Sequence, residues 1–193
     1  MLPFPAHHEE TNRQTDNNVQ SITLIGYMCV GKTTVGKALA KELGMTFYDL
    51  DWYIEERFHT KVSRIFAEEG EERFRDLERR MLHEVAEFEN VVVSCGGGTP
   101  CHFDNMDYLN NVSHTCYLQA SVETILQHLA MSRGERPLLK GKTPEELRTF
   151  VTDQLAERIP FYEKARHTIG VDILDSFDKI NIVTANVRQA LDI

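Results

Sequence analysis

The sequence predicts one three-layer α/β domain with a central five-stranded parallel sheet. Two observations indicate this fold class. Short runs of β-branched and other apolar residues alternate with longer segments of helical period, which is the pattern of βαβ units. The length of 193 residues suffices for one sizeable core and is short for two domains.

Five short apolar runs account for the predicted strands. The run VVVSC at residues 91–95 is apolar through its first three positions rather than alternating, so we expect a central strand covered on both faces. The predicted strands comprise residues 22–25, 46–50, 91–95, 115–118 and 167–171.

The helices are predicted from helical periodicity and from signals at their ends. The first helix has an apolar stripe at positions 35, 39 and 43 and ends at Gly44, a residue that tolerates the left-handed conformation of a helix C-terminus. A later helix begins after Thr143, with Glu146 as its capping-box partner. Further helices are predicted over residues 71–88, from residue 121 and from about residue 177.

Residues 1–18 are predicted to form a disordered polar tail, and residues 19–193 a single domain. The tail has neither the apolar stretch of a signal peptide nor a basic amphipathic pattern, and no later run approaches membrane-spanning length. The four cysteines form no Cys-x-x-Cys pair, which argues against a structural zinc site or a disulfide framework and fits reduced thiols. We therefore expect a cytoplasmic protein without a membrane partner, and a monomer.

The charge balance favours small-molecule partners. A formal net charge of −9 would repel a polyanion over most of the surface. Lysine and arginine residues form no cluster dense enough for a nucleic-acid track. Nucleic acid is therefore not expected as a partner.

Residues 26–34, GYMCVGKTT, have the spacing of a loop that holds nucleotide phosphates. The loop lies between a predicted strand and a predicted helix, as this pattern requires. Glycines let backbone N–H groups turn toward phosphates, Lys32 reaches the β- and γ-phosphates, and the Thr33 hydroxyl ligates Mg²⁺. The loop predicts a nucleoside triphosphate with Mg²⁺, bound by Gly26, Met28, Cys29, Val30, Gly31, Lys32, Thr33 and Thr34. We interpret Cys29 as a small side chain in a tight turn rather than a redox group.

Two carboxylates follow the loop in the segment FYDLD. On a strand, Asp49 and Asp51 would project to the same face, near the carboxyl end where α/β sheets bind ligands. One carboxylate could hold Mg²⁺, and the other could accept a hydrogen bond from the hydroxyl that is phosphorylated. The alternative is that an aspartate at a strand end caps the next helix. As a pair after a phosphate loop, they favour the functional interpretation.

Three further features are weak when taken singly. Arg75 lies off the apolar stripe of its helix, and alone it is an arginine paired to Glu78 on a wet face. The glycines at 96–98 permit a ligand to approach the backbone closely. The segment 132–142 is charged, bounded by glycines and without helical or strand period, which is typical of a surface loop or of a lid.

Taken in order, these motifs resemble shikimate kinase. The set comprises the phosphate loop, Asp49-x-Asp51, Phe74-Arg75 with Glu78, Gly96-Gly97-Gly98, Arg136-Pro137-Leu138-Leu139 and Arg158-x-Pro160-x-Tyr162, and it covers roughly residues 20–190. The resemblance implies the three-layer P-loop kinase fold with a substrate-binding helical segment and a lid loop. It also implies transfer of the ATP γ-phosphoryl group to the 3-hydroxyl of shikimate, a step in chorismate and aromatic amino-acid biosynthesis.

The resemblance assigns a role to each matching residue. Arg75 and Arg158 match the arginines that bind the shikimate carboxylate, and Asp51 matches the residue on the ring hydroxyls. Arg136 matches the lid arginine that closes over the transferring phosphoryl group, while Arg133 is placed toward the adenine. The implied catalytic residues are Lys32, Asp51 and Arg136; the substrate-binding residues are Asp51, Arg75, Gly96, Gly97, Gly98 and Arg158; and the metal-binding residues are Thr33 and Asp49.

The chain also departs from the family pattern. Cys29 and Val30 stand where the family usually has smaller residues, and the segment 171–178 lacks the arginine that some members place against the adenine. One alternative is another small-molecule kinase such as a gluconate kinase, which would share the phosphate loop and the lid. A different class is a nucleotide-dependent switch, but no guanine-reading motif is present.

Overall fold

A five-stranded parallel sheet organises the part of the chain that the computed structural model describes, residues 21–131, 141–174 and 179–193. Each of the four strand pairings is parallel. The strands are β1 (Ser21–Ile25), β2 (Thr46–Asp49), β3 (Val91–Ser94), β4 (His114–Gln119) and β5 (His167–Gly170), in the order β2-β3-β1-β4-β5. The predicted sheet is therefore confirmed, while the predicted tail lies outside the described residues.

Seven α-helices accompany the sheet in the described ranges. They are α1 (Lys32–Leu43), α2 (Leu50–Phe58), α3 (Val62–Ala86), α4 (Asn105–Val112), α5 (Val122–Met131), α6 (Pro144–Tyr162) and α7 (Ile180–Ala190). A short 3₁₀ helix spans Thr99–Cys101. Among these helices, none is long and apolar enough to cross a bilayer.

The strand order places helices on both faces of the sheet. The chain moves one way from β1 to β2 and the opposite way from β3 to β4. Because parallel crossovers are right-handed, these opposite moves put α1 and α4 on opposite faces. Helix α7 packs against α1, and α3 packs against α4, which completes a layer on each side. This is the three-layer α/β arrangement of P-loop kinases.

The sequence signals at the helix ends are confirmed. Helix α1 ends at Gly44, which has a left-handed φ of 67°. The capping box of α6 is complete: the Glu146 amide donates to Thr143 Oγ1 at 3.2 Å, and the Thr143 amide donates to Glu146 Oε2 at 2.7 Å. These local hydrogen bonds satisfy N–H groups that have no partner inside the helix.

Most predicted strand bounds differ by one residue from those of the structure, and α7 begins at Ile180 rather than about residue 177. Two differences affect the site. The strand predicted over 46–50 ends at Asp49, because Leu50 already begins α2. The helix predicted over 71–88 is the second part of α3, which starts at Val62 and bends at Gly70, where φ is 82° and ψ is 172°. Helices α2 and α4 were not predicted. In α2, the charged segment EERF follows a short apolar run that resembles a strand end.

The topology fixes where a ligand can bind. The chain leaves β1 toward β2, returns to β3 on one side of β1, and then crosses to β4 on the other side. In open α/β sheets, ligands bind beyond the carboxyl ends of the strands where the direction of winding reverses. The loop after β1 and the glycines after β3 both lie at this position.

Candidate active site

A cleft of about 410 Å³ opens at the carboxyl ends of β1, β2 and β3. One wall is the phosphate loop with the first turn of α1, and another is formed by Asp49, Asp51 and Trp52. Gly96 and Gly97, which follow β3, also line the cleft, together with Lys32 and His128. The cleft therefore brings together the phosphate loop, the two carboxylates and the glycine segment.

The phosphate loop holds its lysine inward. Lys32 Nζ donates to the carbonyl oxygens of Gly26 at 2.9 Å and Tyr27 at 2.7 Å. Burial lowers the pKa of Lys32 to about 8, while the nearby carboxylates, Asp51 foremost, act in the opposite direction. The ammonium is thus a desolvated positive charge, which attracts phosphate more strongly than an exposed lysine does.

Two glycines of the loop meet a geometric requirement. Gly26 has a φ of 139°, and a Cβ there would lie 2.6 Å from the Leu118 carbonyl oxygen. Gly31 has a φ of 93° at the start of α1. Cys29 also adopts a left-handed φ, 63°, and packs partly buried against the core, which agrees with its interpretation as a small side chain in a tight turn.

The hydroxyl and the carboxylate predicted to lie near Mg²⁺ are adjacent. Thr33 Oγ1 donates to Asp49 Oδ2 at 2.8 Å, and the second oxygen of Asp49 accepts from the Trp52 amide at 3.4 Å. Asp49 is therefore also the N-cap of α2, so the helix-capping alternative applies as well as the functional one. Hard oxygen ligands suit Mg²⁺. Within the described ranges no cluster of three or more acidic, histidine or cysteine side chains could hold a metal.

The prediction that Asp49 and Asp51 project from one strand is wrong. Asp49 ends β2, whereas Asp51 lies in the first turn of α2, and it is the helical turn that brings both carboxyl groups into the cleft. Burial raises the pKa of Asp51 to about 6, with further contributions from Asp49 and Glu78 that outweigh the opposing charge of Lys32. A carboxylate with this pKa is a better proton acceptor than an ordinary aspartate at neutral pH.

The three glycines after β3 are required by close packing and not by φ, since none has a positive value. A Cβ on Gly98 would lie 2.6 Å from Arg75 Nη2, and one on Gly97 would lie 3.3 Å from Arg158 Nη1. A Cβ on Gly96 would lie 3.1 Å from Asp51 Oδ1. The glycine segment thus allows all three predicted substrate-binding side chains to converge on one stretch of backbone.

Arg75 is not on a wet helix face, as only 12% of its side chain is exposed. Its Nη1 donates to Glu78 Oε2 at 2.8 Å, the pairing considered from sequence, and its Nη2 donates to Glu71 at 3.0 Å. Glu78 is 1% exposed, and its other oxygen accepts from Thr99 Oγ1 at 2.6 Å. The Arg75 guanidinium is therefore fixed by the buried Glu78 carboxylate, which is in turn fixed by the Thr99 hydroxyl.

Arg158 is placed by an aromatic neighbourhood on α6. Its guanidinium carbon lies 5.5 Å from the centre of the Tyr27 ring. Tyr162, fully buried, donates its hydroxyl to the Gly97 carbonyl at 2.5 Å, which fixes the end of α6 to the glycine segment. Cation–π and hydrogen-bond contacts together orient this arginine toward the cleft side of Gly97.

Some site residues were not predicted, and some predicted ones cannot be placed. Trp52 and His128 line the cleft, but an exposed tryptophan and one histidine on an apolar helix carry no sequence pattern that would have found them. Arg133, Arg136 and the lid residues 132–140 lie outside the described residues. Their roles stay predictions.

Comparison with known proteins decides between the kinase families that share this fold. The family model described as shikimate kinase matches residues 28–186. The chain belongs to the shikimate kinase family. A shikimate kinase from Phocaeicola vulgatus is 50% identical over 171 residues, which cover 89% of this chain and 98% of the relative.

Solved structures agree with the family. The crystal structure of shikimate kinase from Bacteroides thetaiotaomicron superposes with a TM-score of 0.88 at 45% identity, covering 90% of this chain and 99% of that one. Shikimate kinase from Acinetobacter baumannii in complex with shikimate gives a TM-score of 0.79 at 32% identity, covering 90% and 94%. As a shikimate kinase family member, the chain is an ATP-dependent kinase that phosphorylates shikimate.

The gluconate kinase alternative receives support at the level of fold alone. A gluconokinase from Sinorhizobium meliloti has a TM-score of 0.58 at 16% identity, covering 90% of this chain and 92% of that one. The shared fold explains the shared phosphate loop and strand order. The arginines that approach Gly97 and Gly98 are the feature that favours a carboxylate-bearing acceptor.

Proposed function

We propose that this chain transfers the γ-phosphoryl group of ATP to the 3-hydroxyl of shikimate, with Lys32, Asp51 and Arg136 as catalytic residues. The observation that carries this assignment is the convergence of Asp51, Arg75 and Arg158 on the segment Gly96 to Gly98. That segment borders the cleft that is also lined by Lys32, the residue proposed to bind the nucleotide phosphates.

The acceptor side of the cleft follows from charge. Shikimate carries one carboxylate and three ring hydroxyls, so it needs cationic forks at one end and a proton acceptor at the other. Arg75 and Arg158 provide the forks, because planar guanidinium groups pair with carboxylates through two parallel hydrogen bonds. Asp51 accepts a hydrogen bond from the reacting hydroxyl and receives its proton as phosphoryl transfer proceeds.

The nucleotide side is built from the phosphate loop. Backbone N–H groups of the loop and the Lys32 ammonium hold the β- and γ-phosphates, and Arg136 compensates charge on the transferring group once the lid closes. Thr33 and Asp49 would hold Mg²⁺ together with the nucleotide, and the ion would neutralise charge on the phosphate oxygens. The Thr33–Asp49 hydrogen bond at 2.8 Å supports this ligand pair.

We also propose that the enzyme works as a cytoplasmic monomer. All four cysteines are free, and Cys95 and Cys116 are buried as thiols, as expected in a reducing compartment. Gel filtration with light scattering tests the monomer directly.

A coupled ADP-release assay with MgATP tests the proposed acceptor. We expect shikimate to stimulate ADP formation strongly, with quinate weaker and gluconate without effect. Stimulation by gluconate and not by shikimate would contradict the proposal.

A further inference from the structure

His128 joins two parts of the nucleotide cleft that are far apart in sequence. Its Nδ1 lies 2.8 Å from the carbonyl oxygen of Cys29 in the phosphate loop. Its Nε2 lies 2.7 Å from the carbonyl oxygen of Leu174, in the segment that follows β5. The ring therefore sits on α5 between two backbone acceptors, and it lines the cleft.

Both ring nitrogens of His128 face backbone carbonyl oxygens at hydrogen-bond distance. An imidazole N–H donates to a carbonyl oxygen, so the ring can hold these two backbone segments at a fixed separation. A side chain without two nitrogens at this spacing cannot reach both carbonyl oxygens in the same way.

A second contact ties the same two segments. A Cβ on Gly31 would lie 3.0 Å from Leu174 Cδ1, so the Leu174 side chain already packs directly on the phosphate loop. The His128 contacts and the packing of Leu174 thus both connect the phosphate loop with the segment after β5. These contacts therefore help to fix the position of the phosphate loop.

We propose that His128 is a positioning residue for the nucleotide, and that its ring fixes the phosphate loop to the segment after β5. The inference rests on the nucleotide-binding part of the proposed function and does not depend on the identity of the acceptor. Without the ring, the loop is held less firmly and nucleotide binds more weakly.

Binding of ADP to the full-length protein tests this role without an acceptor. Trp52 is the single tryptophan of the chain and lines the cleft, so its fluorescence reports the titration. We expect His128→Gln to weaken ADP binding about tenfold, since the glutamine side chain cannot bridge both carbonyl oxygens and a hydrogen bond is lost. The matched control is His114→Gln, a half-buried histidine at the start of β4, which should bind ADP as the wild type does.

Steady-state kinetics separates positioning of the nucleotide from a merely structural role. His128→Gln should raise KM for ATP and leave KM for shikimate unchanged, because the ring contacts the phosphate loop and not the glycine segment. ADP affinity equal to that of the wild type, or KM values for ATP and shikimate that rise together, would overturn the proposal.

NMR of ¹⁵N-histidine-labelled wild-type protein gives a readout that needs no stable variant. One histidine ring should show close contacts to both the phosphate loop and the segment after β5, and its ring nitrogens should shift when ADP binds. A ring without these contacts, or without a change on ADP binding, would overturn the proposal. An acceptor assay that fails while ADP binding behaves as described would instead contradict the proposed function alone.

Discussion

Replacing Gly98 with alanine tests whether the glycine segment serves substrate binding through Arg75. The new Cβ would lie 2.6 Å from Nη2, 2.9 Å from Nη1 and 3.0 Å from Cζ of Arg75, and real Cβ atoms do not approach so closely. Arg75 cannot yield freely, because Nη1 is bonded at 2.8 Å to Glu78, a carboxylate with 1% exposure. The guanidinium must therefore move away from this partner.

The magnitude follows from the displaced contact. A hydrogen bond between charged groups contributes about 1.5 to 3 kcal/mol, and each 1.4 kcal/mol corresponds to a factor of ten. The displacement that breaks the hydrogen bond to Glu78 should also move Arg75 away from the shikimate carboxylate. KM for shikimate should therefore rise by about 10- to 100-fold. KM for ATP should change little, because the three atoms nearest to the new Cβ all belong to Arg75 and none to the phosphate loop.

Steady-state kinetics with varied shikimate measures this effect, and Gly170→Ala is the matched control. Gly170 ends β5, has no positive φ, and a Cβ there would meet nothing within 4 Å. This control should keep both KM values. A Gly98→Ala enzyme with a KM for shikimate within about twofold of the wild type would refute the argument that Arg75 is held at the substrate by this glycine.

The remaining predictions concern single side chains of the cleft. Asp51→Asn should lower kcat by about 10² to 10⁴. In the wild type, kcat/KM should fall as the pH drops through about 6, where Asp51 takes up a proton. A wild-type pH profile that stays flat down to pH 5 would exclude Asp51 as the base. Because burial raises the pKa of Asp51 in the folded protein to about 6, the ionised carboxylate destabilises the fold at pH 7. Asp51→Asn should therefore raise the melting temperature at pH 7. A melting temperature below that of the wild type would contradict the burial argument. Arg158→Ala should raise KM for shikimate with a smaller change in kcat, whereas Arg136→Ala should lower kcat by about 10² to 10³; the reverse pattern in kinetics would exchange their roles. Alkylation of Cys29 should inactivate the enzyme and MgATP should protect it, and equal modification rates by mass spectrometry with and without nucleotide would contradict the loop geometry.

Elements with strong local signals were predictable from sequence. The phosphate loop follows from glycine spacing, and the start of α6 follows from the Thr143–Glu146 capping box, because in each case the local chain supplies the hydrogen bonds. The glycines at 96–98 were singled out for close backbone approach. Which side chains approach them could be expected only through the family resemblance.

Features created by tertiary packing were not predictable from local pattern. Asp51 lies in the first turn of α2, but the sequence there resembles the end of a strand. The prediction from strand alternation therefore assigned it the wrong secondary structure. The raised pKa of Asp51 depends on burial and on nearby charges, one of which, Glu78, is distant in sequence. His128 gains its two acceptors from segments 99 and 46 residues away, which no local periodicity encodes.

Identification of the product tests the central claim most directly. After incubation of the enzyme with MgATP and shikimate, ³¹P and ¹H NMR of the purified product should show one phosphate coupled to the proton at carbon 3 of the ring, formed in equal amount with ADP. A phosphate on another hydroxyl, or ADP formed without any phosphorylated shikimate, would contradict the account.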